Sequence, residues 1–320
     1  MLPFTALRFP SGLLAALSVL SLAASMASAQ ERRASPPEFS ADEIRGVFFE
    51  DLSKAIRGQR PALASIRKSA EQPDLAETEA DSTEVQDSGT GALWSSLISP
   101  TSLEDEVKRV RLHFDSLITT PGAFNSGGYL EARVDLSVLA MMFAVINEYG
   151  GDVRWQEHAA AARDLLARSA FNCKAGSNQV YNEAKLRRAD LQDLVSGTGL
   201  SQRDAQPEND WSQIVDRSPL MDYADQLINA LEDANRNEDS IQENLPAIKR
   251  NAELLAVLGE VLVREGMAEA DDDDYAKLSR GMVSEAKQVV GAIERRDLQA
   301  ISTGISGIRQ RCDTCHNQYR

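Results

Sequence analysis

Cys312, Cys315 and His316 stand within five residues of one another in the run RQRCDTCHNQYR, residues 309–320. The 320-residue chain has only three cysteines and three histidines, so this is its main concentration of sulfur and imidazole. Two thiols at i and i+3 share a helix face. Cys-x-x-Cys-His is the attachment sequence for c-type haem. Each thiol can bond one vinyl edge of a single porphyrin, and the adjacent imidazole reaches the iron as axial ligand. Three other uses compete. A thioredoxin-type dithiol belongs in a βαβ context, and strand signals are almost absent here. A zinc site needs four ligands, and the sequence offers no second cluster. A disulfide would leave the histidine idle. One covalent haem c uses all three residues.

The elements that must position them are legible in the last 110 residues. Ser218 and Pro219 are expected to start a helix, as N-cap and first helical residue, with the stripe Leu220, Tyr223, Leu227, Leu231 and Ala234. A second helix carries Ile248, Leu254, Leu255, Leu258, Val261 and Leu262, and a third carries Tyr275, Leu278, Met282, Val289 and Ile293. The aspartate run 271–274 is expected to cap the third. The fourth begins near Asp297 and reads Leu298, Ile301, Ile305, Ile308. Its steps of three, four and three continue onto Cys312 and Cys315, which therefore belong to the core-facing stripe. Short connections predict an antiparallel up-down-up-down four-helix bundle. Gly304 and Gly307 each cost the fourth helix about 1 kcal/mol against alanine, so close approach of either a flat macrocycle or a neighbouring helix is expected there.

A four-helix bundle ending in Cys-x-x-Cys-His, followed by Tyr319 and Arg320, resembles the class II c-type cytochromes, the cytochrome c′ family, over about residues 210–320. The resemblance implies thioethers at Cys312 and Cys315, axial ligation by His316, and Arg320 as the basic residue near the haem edge. Six-coordinate members carry a methionine four residues after an arginine at the start of the first helix. Arg217 and Met221 have that spacing, so Met221 is the candidate sixth ligand. Topology by itself does not single it out, since Met267 and Met282 belong to the same end of the bundle.

The remaining text is also helical. Leu103, Val107, Val110, Phe114 and Leu117 form one stripe, and GGYLEARVDLSVLAMMFAVINEYGG is apolar over most of its circumference, as a central buried helix should be. Two more helices are expected before Gly197, and 197–210 is expected to separate two helical units. The run FNCKAGSNQVYNE around Cys173 echoes RQRCDTCHNQYR, so residues 101–200 could be a degenerate, haem-less copy of the bundle; a plain buried cysteine is the alternative. His113 and His158 read as helix-surface residues. Upstream, Ser40 and Glu43 form a capping box at the head of a helix, and residues 68–100 read as an acidic, disordered linker. Residues 1–29 have the form of a signal peptide, with Arg8 in the n-region, the apolar run LLAALSVLSLAASMA and a small-x-small cleavage site at ASAQ.

The fold class is thus all-α, with a C-terminal cytochrome c′-like bundle at 210–320, a helical unit at 101–200, an N-terminal helix and linker at 30–100, and a signal at 1–29. A net charge of −15 argues against nucleic acid and favours a redox protein with a basic surface; a homodimer is left open. No later run is apolar enough for a membrane span, so the expected location is periplasmic or otherwise exported and soluble. The expected function is one-electron transfer rather than catalysis. A five-coordinate haem that binds or senses nitric oxide or carbon monoxide is the alternative. A second is an interaction protein with an ancillary haem.

Overall fold

The computed structural model of the chain describes residues 88–200 and 205–319. The signal segment, the helix expected after Ser40, most of the acidic linker and Arg320 lie outside the described residues. Among the described residues every regular element is helical. In chain order the principal helices are α1 (Ser88–Leu97), α2 (Pro100–Leu117), α3 (Tyr129–Asn147), α4 (Ala159–Asn172), α5 (Asn178–Ser196), α6 (Trp211–Ile214), α7 (Arg217–Ala234), α8 (Glu238–Val261), α9 (Asp273–Arg295) and α10 (Leu298–His316).

Local sequence sets most of these boundaries. Ser99 caps α2 with its side chain, and Pro100 follows at the first helical position, where a missing N–H costs nothing. Asp297 Oδ1 accepts from Ala300 N at 2.9 Å and opens α10 at the expected residue. The start of α7 differs from expectation. Asp216 is the extended N-cap residue and Arg217 the first helical one, so Ser218 and Pro219 lie within the first turn. Proline is tolerated there because first-turn N–H groups lack partners in any case. The acidic-linker reading also fails at its C-terminal end. Residues Ser88–Leu97 form α1, with Trp94, Leu97 and Ile98 buried. Their apolar spacing is helical, and burying each such aliphatic side chain contributes about 1.5–3 kcal/mol, enough to draw the end of a polar segment onto the core.

Helix α3 is buried without interruption from Asp135 to Ile146 and packs on α2, α4 and α7. Helices α1 and α2 also pack on α8, so the helices before and after residues 197–210 lie in one compact unit, Ser82–Arg320, with a shared apolar core. A polar knot ties them together. The fully buried Glu106 carboxylate on α2 accepts from Tyr223 Oη on α7 at 2.7 Å and lies 3.3 Å from Arg250 Nε on α8. Arg109, one turn along α2, also donates to it. A buried carboxylate is tolerated only when partnered in this way.

Helices α7 to α10 follow one another with short connections. The contacts α7–α8, α8–α9, α9–α10 and α7–α10 are all made. Along α9 and α10 the facing pairs run in opposite senses, Met282 with Cys312, Glu285 with Gly307 and Val289 with Gly304, so these two helices are antiparallel. Gly304 answers one question left by the sequence. It is buried, and a Cβ there would stand 2.6 Å from Val289 Cγ2. The approach it permits is that of α9.

Candidate cofactor site

The stripe of α10 stays buried through Ile301, Ile305 and Ile308. It then emerges half-buried at Cys312, Cys315 and Tyr319. The same three-four periodicity that packs the first half of α10 on its neighbours carries its last turns over a cavity. That cavity measures about 460 Å³, within the range of small-molecule and cofactor sites. Its walls come from the start of α7, the end of α8, the start of α9 and the end of α10. Ile228, Leu258, Leu262 and Leu278 supply apolar surface, with Met221 and Met282 beside them.

The structure thus brings four of the expected site residues, Cys312, Cys315, His316 and Met221, to one cavity. His316 is exposed, and its side chain has no hydrogen-bond partner among the described residues. Met221 is half-buried. Met282 is buried, with its Sδ 3.9 Å from Cys312 Sγ. Met267 is buried in the core and does not line the cavity. Arg320 lies outside the described residues.

The thiols are poor nucleophiles in this setting. Burial pushes Cys312 up to about 11, against the pull of Arg309, and burial likewise raises Cys315 against the pull of Arg217. A reactive Cys-x-x-Cys needs the opposite environment, one that lowers the thiol pKa. None of the three cysteines forms a disulfide.

The cavity also holds features the sequence reading left out. Tyr275 and Tyr319 meet edge to face, with ring centroids 5.1 Å apart. Arg217 stands 6.0 Å above the Tyr275 ring. Its Nη1 is buried without a hydrogen bond, although Glu269 Oε1 is 3.8 Å away. Arg309 and Arg311 also line the cavity, but they are committed to Glu232 and Glu285. Tyr275 was visible in the sequence only as a stripe residue, because its partners come from the start of α7 and from beyond the end of α10.

These residues fit a covalently held porphyrin. Two thiols one turn apart face one apolar cavity with an imidazole beside them. The unsatisfied guanidinium donor of Arg217 suits an anionic edge group such as a carboxylate. Iron in such a group takes most of its ligands from the macrocycle, so the chain need supply only axial ones.

The other cysteine and histidines have different surroundings. Cys173 follows α4 and is buried, its thiol pushed up to about 12 by burial and by Glu183. In the echo, Gly176 takes the place of Cys315, and a Cβ there would stand 2.4 Å from the Asn125 carbonyl oxygen. Ser177 takes the place of His316 and caps α5 by accepting from Val180 N. The echoing letters therefore build a tight inter-helix loop, whereas the C-terminal motif continues a helix. His113 pairs with Asp135 through Nδ1 at 2.7 Å, and His158 packs against Gly199.

No protein-family model matches the chain, and no curated protein or solved structure matches it significantly. Among the described residues no helix is long and apolar enough to cross a membrane.

Proposed function

We propose that the protein is an exported c-type cytochrome that carries one haem covalently on Cys312 and Cys315, with His316 as axial ligand, and serves one-electron transfer rather than catalysis. The reading treats α7–α10 as an antiparallel four-helix bundle similar to those of the cytochrome c′ family. The observation that carries it is the convergence of Cys312, Cys315 and His316 on a single apolar cavity of about 460 Å³. When bound, haem c would supply a reversible one-electron iron couple. Around it this chain's residues have distinct tasks. The two thiols fix the macrocycle, and His316 ligates from the end of α10. Arg217 receives an anionic edge group, and the aliphatic walls exclude water, which tunes the potential.

Among the described residues, Met221 and Met282 are the thioethers on the cavity wall, and either as sixth ligand would favour electron transfer over gas binding. The acidic run at 271–274, next to the cavity wall at Tyr275, supports a redox partner with a basic surface. The apolar run and small-x-small site within residues 1–29 support export.

The test is expression of the full chain with haem-ligation machinery. Haem mass on the peptide containing residues 312–319, together with a Soret band, is expected. Both should vanish in the Cys312→Ser/Cys315→Ser variant. A low-spin spectrum that turns high-spin in Met221→Leu or Met282→Leu would assign the sixth ligand. A wild-type high-spin spectrum that shifts with carbon monoxide would favour the gas-binding alternative. Absence of haem on the wild-type peptide would refute the proposal.

A further inference from the structure

The chain does not stop at the motif. After His316 the backbone turns back, with Gln318 N and Tyr319 N both donating to the Cys315 carbonyl at 3.0 and 2.9 Å. This carries Tyr319 across to the start of α9. There its hydroxyl donates to Asp272 Oδ1 at 2.9 Å, and its ring packs on Tyr275. The same oxygen, Asp272 Oδ1, caps α9 by accepting from Asp274 N and Tyr275 N at 2.9 and 3.1 Å. One carboxylate oxygen therefore joins the head of α9 to the tail of α10. Its pKa is lowered first by the Tyr275 N–H and next by the Tyr319 hydroxyl, so the acceptor stays charged at neutral pH. A charged acceptor strengthens each of these bonds.

We infer that Asp272, Tyr275 and Tyr319 form a latch that positions the last turn of α10, and that Tyr319 is a positioning residue for Cys315 and His316 at the cavity. The inference rests on the haem reading proposed above. Helix ends fray because their last carbonyls lack partners. The residues that would hold haem lie on such an end, and His316 has no hydrogen bond of its own to orient it. The latch replaces those missing constraints. It grips the backbone three residues beyond the imidazole and ties it to α9, which also supplies Met282 to the same cavity. A ligand's orientation is commonly set by neighbours outside its own bonds to the metal.

Three full-chain variants test this. Tyr319→Phe removes only the hydroxyl, and Tyr319→Leu removes the ring stacking as well. Asp272→Asn keeps both the cap and an acceptor oxygen. In the haem-free protein, amide exchange at residues 315–319 should rise about fivefold in Tyr319→Phe and further in Tyr319→Leu. It should rise by less than in Tyr319→Phe in Asp272→Asn, which keeps the acceptor but loses its charge, and the urea midpoint should be unchanged in all three. In the haem-loaded protein, Tyr319→Leu should show a second spectral population and a shifted midpoint potential. If the wild type attaches haem but exchange and spectrum do not change in either Tyr319 variant, the latch is overturned and the haem reading survives. If the wild type attaches no haem, the reading fails and takes the positioning role with it.

Discussion

Gly304→Ala separates packing from propensity in α10. In an unobstructed helix interior this change would stabilise by about 1 kcal/mol, because alanine loses less backbone entropy than glycine. Here the new methyl would stand 2.6 Å from Val289 Cγ2. Val289 is fully buried, and its β-branched side chain is stiff about χ1, so it cannot swing away. Overpacking of this kind costs about 1–3 kcal/mol. The net expectation is destabilisation by about 0–2 kcal/mol, against a gain of about 1 kcal/mol for Gly307→Ala. There the obstruction is Glu285 Oε2 at 2.8 Å, the mobile end of a carboxylate whose partner Arg311 can move with it. Urea unfolding of the full chain measures both. Truncation of the obstacle supplies the cross-check. In a Val289→Ala background, Gly304→Ala should become neutral or stabilising, giving a coupling of 1 kcal/mol or more. If Gly304→Ala is as stable as wild type in both backgrounds, then α9 and α10 are not in the close contact described, and the site built at their ends loses its support.

Three further outcomes are expected. In the haem-free chain, Cys312 should alkylate about a hundredfold more slowly at neutral pH than a thiol titrating at the ordinary 9.0, since burial holds it near 11; a rate that plateaus by pH 9 would contradict this. Tyr223→Phe removes a buried bond to a charged acceptor and should cost about 1.5–3 kcal/mol in urea unfolding. A loss below 0.5 kcal/mol, roughly the effect of a neutral surface change, would mean the Glu106 knot does not join α2 to α7. Asp135 is raised to about 6 by burial, with His113 pulling the other way. Its contribution to stability is therefore full below about pH 4 and is lost as pH rises through 6. Relative to Asp135→Asn, the wild type should lose on the order of 3 kcal/mol between pH 4 and 7.5, at about 1.4 kcal/mol per unit. Parallel pH profiles for the two proteins would refute the assignment.

The register of α10 was readable because helical period is a local property. Ile301, Ile305 and Ile308 fix which face is apolar, and Cys312 and Cys315 fall on it by spacing alone. The buried α3 was readable from its apolar circumference, and the caps at Asp272 and Asp297 from side chains that act within three residues. The helix at Ser88–Leu97 was missed because composition over a long acidic window outweighed the short apolar spacing at its end. The reading of Cys173 turned on letters that recur in two contexts, and only the neighbouring backbone at Asn125 showed why Gly176 must be a glycine.

By itself, then, the sequence determined most of the helices, their apolar faces and the presence of two thiols and an imidazole on one turn of one helix. Those follow from interactions between residues three or four apart. The tertiary structure decided what those residues meet: a cavity walled by four helices, Met282 beside Cys312, Val289 against Gly304, and Asp272 reaching Tyr319. Each of these pairs is separated in sequence by more than a helix turn, so its contact depends on how whole helices dock, which no local pattern encodes.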